Sequence, residues 1–275
     1  MFPQVGYTYG TRIEELALKL NLTVLAVAIT VVPYAAQGAV FVDNFDDEAR
    51  GPQWSDVVDD ASLTLSESDD RLNVRANGLS TPTSDALYLS NGPAGFRVST
   101  TANFRIGIDY HFTAAQPVPN NFGSLAMVFG VGRDLAGRDS AAIGYAYTPV
   151  GAGAVVSHRT NNVPSFGLLD TSAPNMGRFL ISYLAATDDL TFSVVDGLGA
   201  TRFETMLDNV VHGQWQANDL LVSFGARGNG YSTVAGNAYL DQFAVETGTL
   251  VPEPAALATA GVVTFALLGR RRFAR

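Results

Sequence analysis

Asp43, Asn44, Asp46 and Asp47 crowd hard oxygen donors into one short stretch. Carboxylate and amide oxygens at that density suit calcium. Asp241, far along the chain, joins them if the first and last strands of the domain lie side by side. The calcium candidates are therefore Asp43, Asp46 and Asp241, and calcium is the one cofactor suggested. The spacing is not that of an EF-hand loop. The competing reading makes these turn and strand-edge residues.

Paired carboxylates on one face of a strand could instead cleave a glycosidic bond. The nearest string is Glu67-Ser68-Asp69-Asp70. It has no second Glu and falls between the runs SLTL and RLNV, where a hairpin turn is expected. Glu48, Glu204 and Glu246 stand isolated. Asp109 shares a strand face with Arg105, Gly107 and His111, and an adjacent Arg makes an Asp a poor general acid. Catalysis would then need acids meeting from separate strands, such as Asp109 with Glu204. His111, His158 and His212 are not spaced as metal pairs. No Gly-x-Ser-x-Gly elbow occurs. Residues 225–230, GARGNG, read as a loop with no following helix and no Lys, so not as a phosphate cradle. No catalytic residue is assigned.

Sugar binding asks for aromatic faces with polar partners. Tyr145 and Tyr147 share one face of a strand, Trp215 lies in HGQWQAND, and Tyr231 lies in GNGYSTVAGN. These four are the carbohydrate-binding candidates. The alternative places the tyrosines in the core or on the sheet surface, where strands favour aromatics, and Trp215 at a packed edge of the domain.

The elements that must position these groups are strands. Phe104, Ile106, Ile108, Tyr110 and Phe112 alternate with Arg105, Gly107, Asp109 and His111, the period-two pattern of a strand with one buried face. Shorter runs recur at 40–44, 62–65, 71–76, 86–90, 125–131, 141–147, 154–158, 178–184, 190–195, 220–224 and 239–246, separated by Gly, Asn, Asp and Pro. Closely spaced strands predict an all-β fold, a two-sheet antiparallel jelly-roll sandwich over residues 39–248. The chain has 275 residues, 47% of them hydrophobic, enough for one such core. It has no cysteine, which excludes disulfides, zinc thiolates and thiol nucleophiles. Between residues 39 and 250 there are 11 Arg against 23 Asp plus Glu. That surface repels nucleic acid and keeps the domain soluble.

Both ends lie outside this pattern. Residues 20–36, LNLTVLAVAITVVPYAA, are uncharged, and Ala36 and Gly38 fit a signal-peptidase site that cuts before Ala39. Residues 1–38 are thus expected to be a signal peptide, with a retained anchor helix as the alternative. At the other end, an uncharged run at 255–268 precedes Arg270, Arg271 and Arg272. A helix over that run spans about 21 Å, short against a hydrocarbon core of about 30 Å. Positive charge stays on the cytoplasmic side, so the run would insert with its arginines inside.

Pro252-Glu253-Pro254, the apolar run and Arg270-Arg271-Arg272 together resemble the PEP-CTERM sorting signal, here residues 249–275. The resemblance implies transient membrane insertion, processing by an exosortase after signal peptidase, and display on the surface or matrix of a Gram-negative exporter.

The central frame runs from Phe41-Val-Asp-Asn-Phe-Asp-Asp47 and Trp54 to Ala238-Tyr-Leu-Asp-Gln-Phe-Ala-Val-Glu246. It resembles the concanavalin A-like lectin/glucanase superfamily, LamG-type modules included, in which the first and last strands are neighbours. Its hydrolases carry Glu-x-Asp-x-x-Glu or Glu-x-Asp-x-Glu, which is missing here. The expectation is an exported, surface-sorted β-sandwich, a carbohydrate-binding or structural component of the envelope or exopolysaccharide matrix that works without catalysis. The rival is a diverged glycoside hydrolase or polysaccharide lyase.

Overall fold

A computed structural model describes residues 39–58, 61–78, 84–113, 115–119, 123–134 and 137–252. Residues 1–38, expected above to be a signal peptide, and the sorting-signal candidates Glu253, Pro254, Arg270, Arg271 and Arg272 lie outside the described residues. The described chain is all-β, and no helix occurs in it. Its strands are β1 (Phe41–Asp43), β2 (Ser55–Val58), β3 (Leu63–Glu67), β4 (Leu72–Ala76), β5 (Ser84–Leu89), β6 (Phe96–Ser99), β7 (Phe104–Phe112), β8 (Gln116–Pro117), β9 (Leu125–Gly132) and β10 (Ser140–Thr148). There follow β11 (Gly151–Thr160), β12 (Val163–Phe166), β13 (Met176–Leu184), β14 (Asp189–Val195), β15 (Thr201–Leu207), β16 (Asp219–Gly228), β17 (Tyr231–Ser232), β18 (Ala238–Thr247) and β19 (Leu250–Pro252).

Two antiparallel sheets form the sandwich. The first runs β15-β14-β13-β7-β18-β4-β3, with β1 also paired to β18. The second runs β12-β11-β10-β9-β16-β5-β2, with β6 between β16 and β19. The first strand does lie against β18, with Phe41 opposite Val245 and Asp43 opposite Phe243. The alternation in β7 is realised: Phe104, Ile106, Ile108, Tyr110 and Phe112 are all buried. Each such side chain contributes about 1.5–3 kcal/mol. Aromatic rings interlock across the sheets, Phe224 of β16 stacking on Phe243 of β18 at 5.5 Å and Tyr110 on Tyr145 at 6.0 Å.

The expected hairpin after β3 is present. Asp69 and Asp70 take φ of 59° and 56° between the paired residues Glu67 and Leu72. Left-handed conformation at both central positions matches the twist of the flanking strands. The loop expected at 225–230 is a correction, because β16 continues through Gly228 and only Asn229 and Gly230 turn the chain. Gly225 and Gly228 are needed there for close approach. A Cβ at Gly225 would lie 2.2 Å from the Ala86 carbonyl oxygen, and one at Gly228 2.1 Å from that of Ser124.

Candidate functional site

A groove of about 610 Å³ opens where the two sheets part company at β12 and β15. One wall is β11 and β12, with Val156, His158, Ser165 and Phe166. The other is β15, with Phe203, Glu204, Thr205 and Leu207, and the connection 167–171 completes it. Phe166 is 72% exposed and Leu168 92%. Pairing of Ser165 with His158 and a bond from Gly167 N to Val156 O hold this wall. Asp170 is fixed by its own turn. Its Oδ1 accepts from Ser172 Oγ at 2.7 Å and Ser172 N at 2.9 Å, and these bonds hold its carboxyl below the ordinary carboxylate range. Glu204 Oε2 accepts from Ser193 Oγ at 3.2 Å on the outer face of the first sheet, the side away from the inward Phe203, Thr205 and Leu207. A concave apolar surface of this size with a few convergent polar groups is the usual form of a ligand site.

The outer face of the first sheet gathers a second set of charges. Arg178 Nη1 donates to Asp109 Oδ1 at 2.6 Å and to the Gln242 carbonyl at 3.1 Å, while its Nε donates to Glu246 at 3.1 Å. Arg105 pairs with the other Glu246 oxygen at 2.8 Å. Gly107 lets the guanidinium lie flat, since a Cβ there would come within 2.7 Å of Arg178 Nε. Tyr239 is covered by His111, stacked at 4.7 Å, and from the β4 side by Arg71 at 4.5 Å. Tyr239 is thus already stacked, and Arg178 and Arg105 are committed to Asp109 and Glu246.

Asp109 and Glu204 do not meet. They stand on β7 and β15, with β13 and β14 between them. Three inter-strand steps amount to about 14 Å. A glycosidase holds its carboxyls within about 9.5 Å.

The calcium candidates are not assembled either. Both oxygens of Asp43 are taken on the inner side: Oδ2 by Gln53 Nε2 and Trp54 Nε1, each at 2.6 Å, and Oδ1 by Phe45 N at 3.0 Å. Asp241 faces outward opposite Asp109, and its carboxyl is pushed up by burial and then by the Asp109 charge. Asp46 is exposed in the turn after β1. No group of three or more His, Asp or Glu suited to an ion occurs among the described residues. The donors present do not fit a calcium shell, because amide and indole N–H groups occupy the acid that would anchor it.

The carbohydrate candidates have moved inside. Tyr145, Tyr147 and Tyr231 do converge, at 5.9 Å and 6.4 Å between successive rings, but in the interior. Tyr145 and Tyr231 are buried, and Tyr147 is half-buried with its hydroxyl donating to the Phe112 carbonyl. Trp215 is fully buried, its indole N–H donating to Arg159 O at 3.1 Å. Their apolar surface serves the core rather than a ligand face. Sequence reasoning had noted His158 and Glu204 singly but missed Phe166, Phe203 and Asp170. Pro164 and the absence of any buried alternate position hide β12 from a period-two search.

One acidic group outside the groove is unusual. Glu67 ends β3 half-buried, with Oε1 inaccessible and without a hydrogen-bond partner. Burial foremost, then the charges of Asp43 and Asp47, push its carboxyl up to about 7 despite a bond from Tyr88. Burial and the Glu67 charge push the Tyr88 hydroxyl up in turn.

No family model matches the chain, and no curated protein matches it. Solved structures do. The CBM2 module of the evolved Dit of Lactobacillus casei BL23 phage J-1 aligns with a TM-score of 0.50 at 11% identity, over 77% of this chain and 97% of that one. An endo-1,3-β-glucanase from Streptomyces sioyaensis aligns at 0.48 and 11% identity, over 80% and 96% of the two chains. Lectin II from Ulex europaeus aligns at 0.45 and 14% identity, over 75% and 98%. At such identities the likeness is one of fold, and the phage module is the match that bears on it.

Proposed function

We propose that this chain is an exported, surface-sorted β-sandwich that binds carbohydrate in the β12/β15 groove without cleaving it. The observation that carries the reading is the groove itself, whose lining includes the exposed apolar residues Phe166 and Leu168 together with His158, Asp170 and Thr205. Sugars present an apolar C–H face and a rim of hydroxyls, so a ring with adjacent donors and acceptors is the matching surface. The absence of catalysis is supported by the separation of Asp109 from Glu204 and by the commitment of Asp109 to Arg178. The fold shared with the phage CBM2 module is compatible with such a role. Support for export and sorting comes from the signal-peptide reading of residues 1–38 and the Pro252-Glu253-Pro254 tail; on this reading the protein works in the envelope or exopolysaccharide matrix. Glycan-array binding tests the reading. Saccharide binding that is lost in Phe166→Ala is expected, and binding unaffected by that substitution refutes the groove as the site.

A further inference from the structure

We infer that the protein forms a two-fold dimer through β15, the free edge of the first sheet, paired antiparallel about Thr205 with β15 of a second copy. This goes beyond the carbohydrate reading and stands without it. β15 has β14 on one side, and among the described residues no strand pairs with its other side. Such an edge is a template for another strand unless proline, lysine, a bulge or a cover blunts it. β15 contains neither Pro nor Lys. Its one irregularity is Arg202, the extra residue where the register with β14 shifts. Beyond it, 203–207 is a regular edge. Apolar surface points the same way. Leu198 in the turn into β15, Met206 on β15, Val163 and Phe166 on β12, and Leu168 just after β12 are each more than half exposed. Apolar side chains gathered on one side of a domain mark a contact surface.

The register identifies the occupant. Phe203, Thr205 and Leu207 turn inward and Glu204 and Met206 outward, so a sheet continued across two copies must set inward residues against inward ones. Pairing the whole regular stretch with itself centres the contact on Thr205. Phe203 then lies opposite Leu207, which extends the apolar layer across the dyad, and Glu204 lies opposite Met206. At both ends of the ladder Arg202 comes opposite Asp208, which is exposed. Arg202 spends Nε on Asp196, and a guanidinium has further donors to offer. A centre at Glu204 would set that acid against itself, and one at Met206 would set it against Asp208; like charges directly opposite destabilise a ladder. A centre at Phe203 would run the ladder into the bulge. The strand is self-complementary in one register, and the two-fold contact closes because both copies use the same patch.

The test uses the full-length protein in detergent, and the lack of native cysteine makes single cysteines informative. Sedimentation velocity at about 100 µM, a concentration suited to a small interface, should show a dimer. Thr205→Cys should oxidise to a disulfide-linked dimer at least tenfold faster than Glu204→Cys, because only the first cysteine faces its own copy. Asp208→Arg sets a second arginine against Arg202 and should weaken dimerisation at least tenfold, and adding Arg202→Asp should restore it. Association through the apolar runs at 20–36 or 255–268 would cross-link both cysteines alike and ignore Asp208→Arg. A monomer at that concentration, equal cross-linking at the two positions, or a dimer indifferent to Asp208→Arg overturns the proposal.

Discussion

Replacing Glu67 with glutamine is expected to stabilise the protein above neutral pH and to change little near pH 5. In the unfolded chain this carboxyl ionises at the ordinary 4.5, and in the fold only near 7. Between those values the folded state holds a proton that the unfolded state has released, so stability falls as pH rises from about 4.5 to about 7 and is level above. The gap corresponds to about 3.4 kcal/mol at about 1.36 per pH unit. Glu67 is only half-buried, so solvent screening reduces this to about 1–2 kcal/mol. Glutamine keeps the shape and removes the charge that faces Asp43 and Asp47, and its amide can donate where Oε1 lacks a partner. Thermal melting at pH 5 and pH 8 reads the effect. For a domain of this size the variant should melt about 3–6 °C higher than the parent at pH 8. An equal or lower melting temperature at pH 8, or the same gain at both pH values, would refute the reasoning.

Gly225→Ala should cost more than about 2 kcal/mol in urea unfolding, because its Cβ would meet the Ala86 carbonyl at a φ of 147°. Trp54→Phe leaves Asp43 without its indole donor and should cost about 1–3 kcal/mol, read in the same way. No reducing sugar should be released from β-glucans, alginate or sulfated galactans; turnover abolished by Asp109→Asn or Glu204→Gln would reverse the non-catalytic proposal. Mass spectrometry of the natural surface product should lack residues 1–38 and the segment after about Pro254, and intact peptides containing Arg270–Arg272 would contradict the sorting proposal.

The interior strands were legible because their physics repeats locally. In β7 every second side chain is apolar and buried, and nothing beyond the sequence is needed to see it. Strand β12, Val-Pro-Ser-Phe, is exposed throughout, and β15 mixes Thr205 into its inward face, so neither advertises a buried side. The groove is built from those two edges, which is why its residues were largely missed. The outer lattice fails differently. Asp109, Glu246 and Arg105 were visible one by one, but Arg178 reaches them only through strand register. Tyr145 and Tyr147 were read correctly as sharing a strand face, Tyr231 joins them only through the fold, and the sequence is silent on which side of the sheet at that end is wet. Asp43 shows the same limit, since its partners Gln53 and Trp54 compete with any ion only once the turn between them has folded.

Strand β19 has a mechanical consequence. It is three residues long, with Pro252 opposite Phe96 at its far end, and it is held to the second sheet through β6 alone. Proline gives that last rung no N–H. Any tension from beyond Pro252 enters the sandwich there, at the weakest rung, and can peel β19 one rung at a time. The long β7/β18 ladder, which ties first-sheet strands in the middle of the domain, feels that load only afterwards. Under the surface sorting proposed above, β19 is a short slack element, expected in single-molecule stretching as a small extension preceding cooperative rupture.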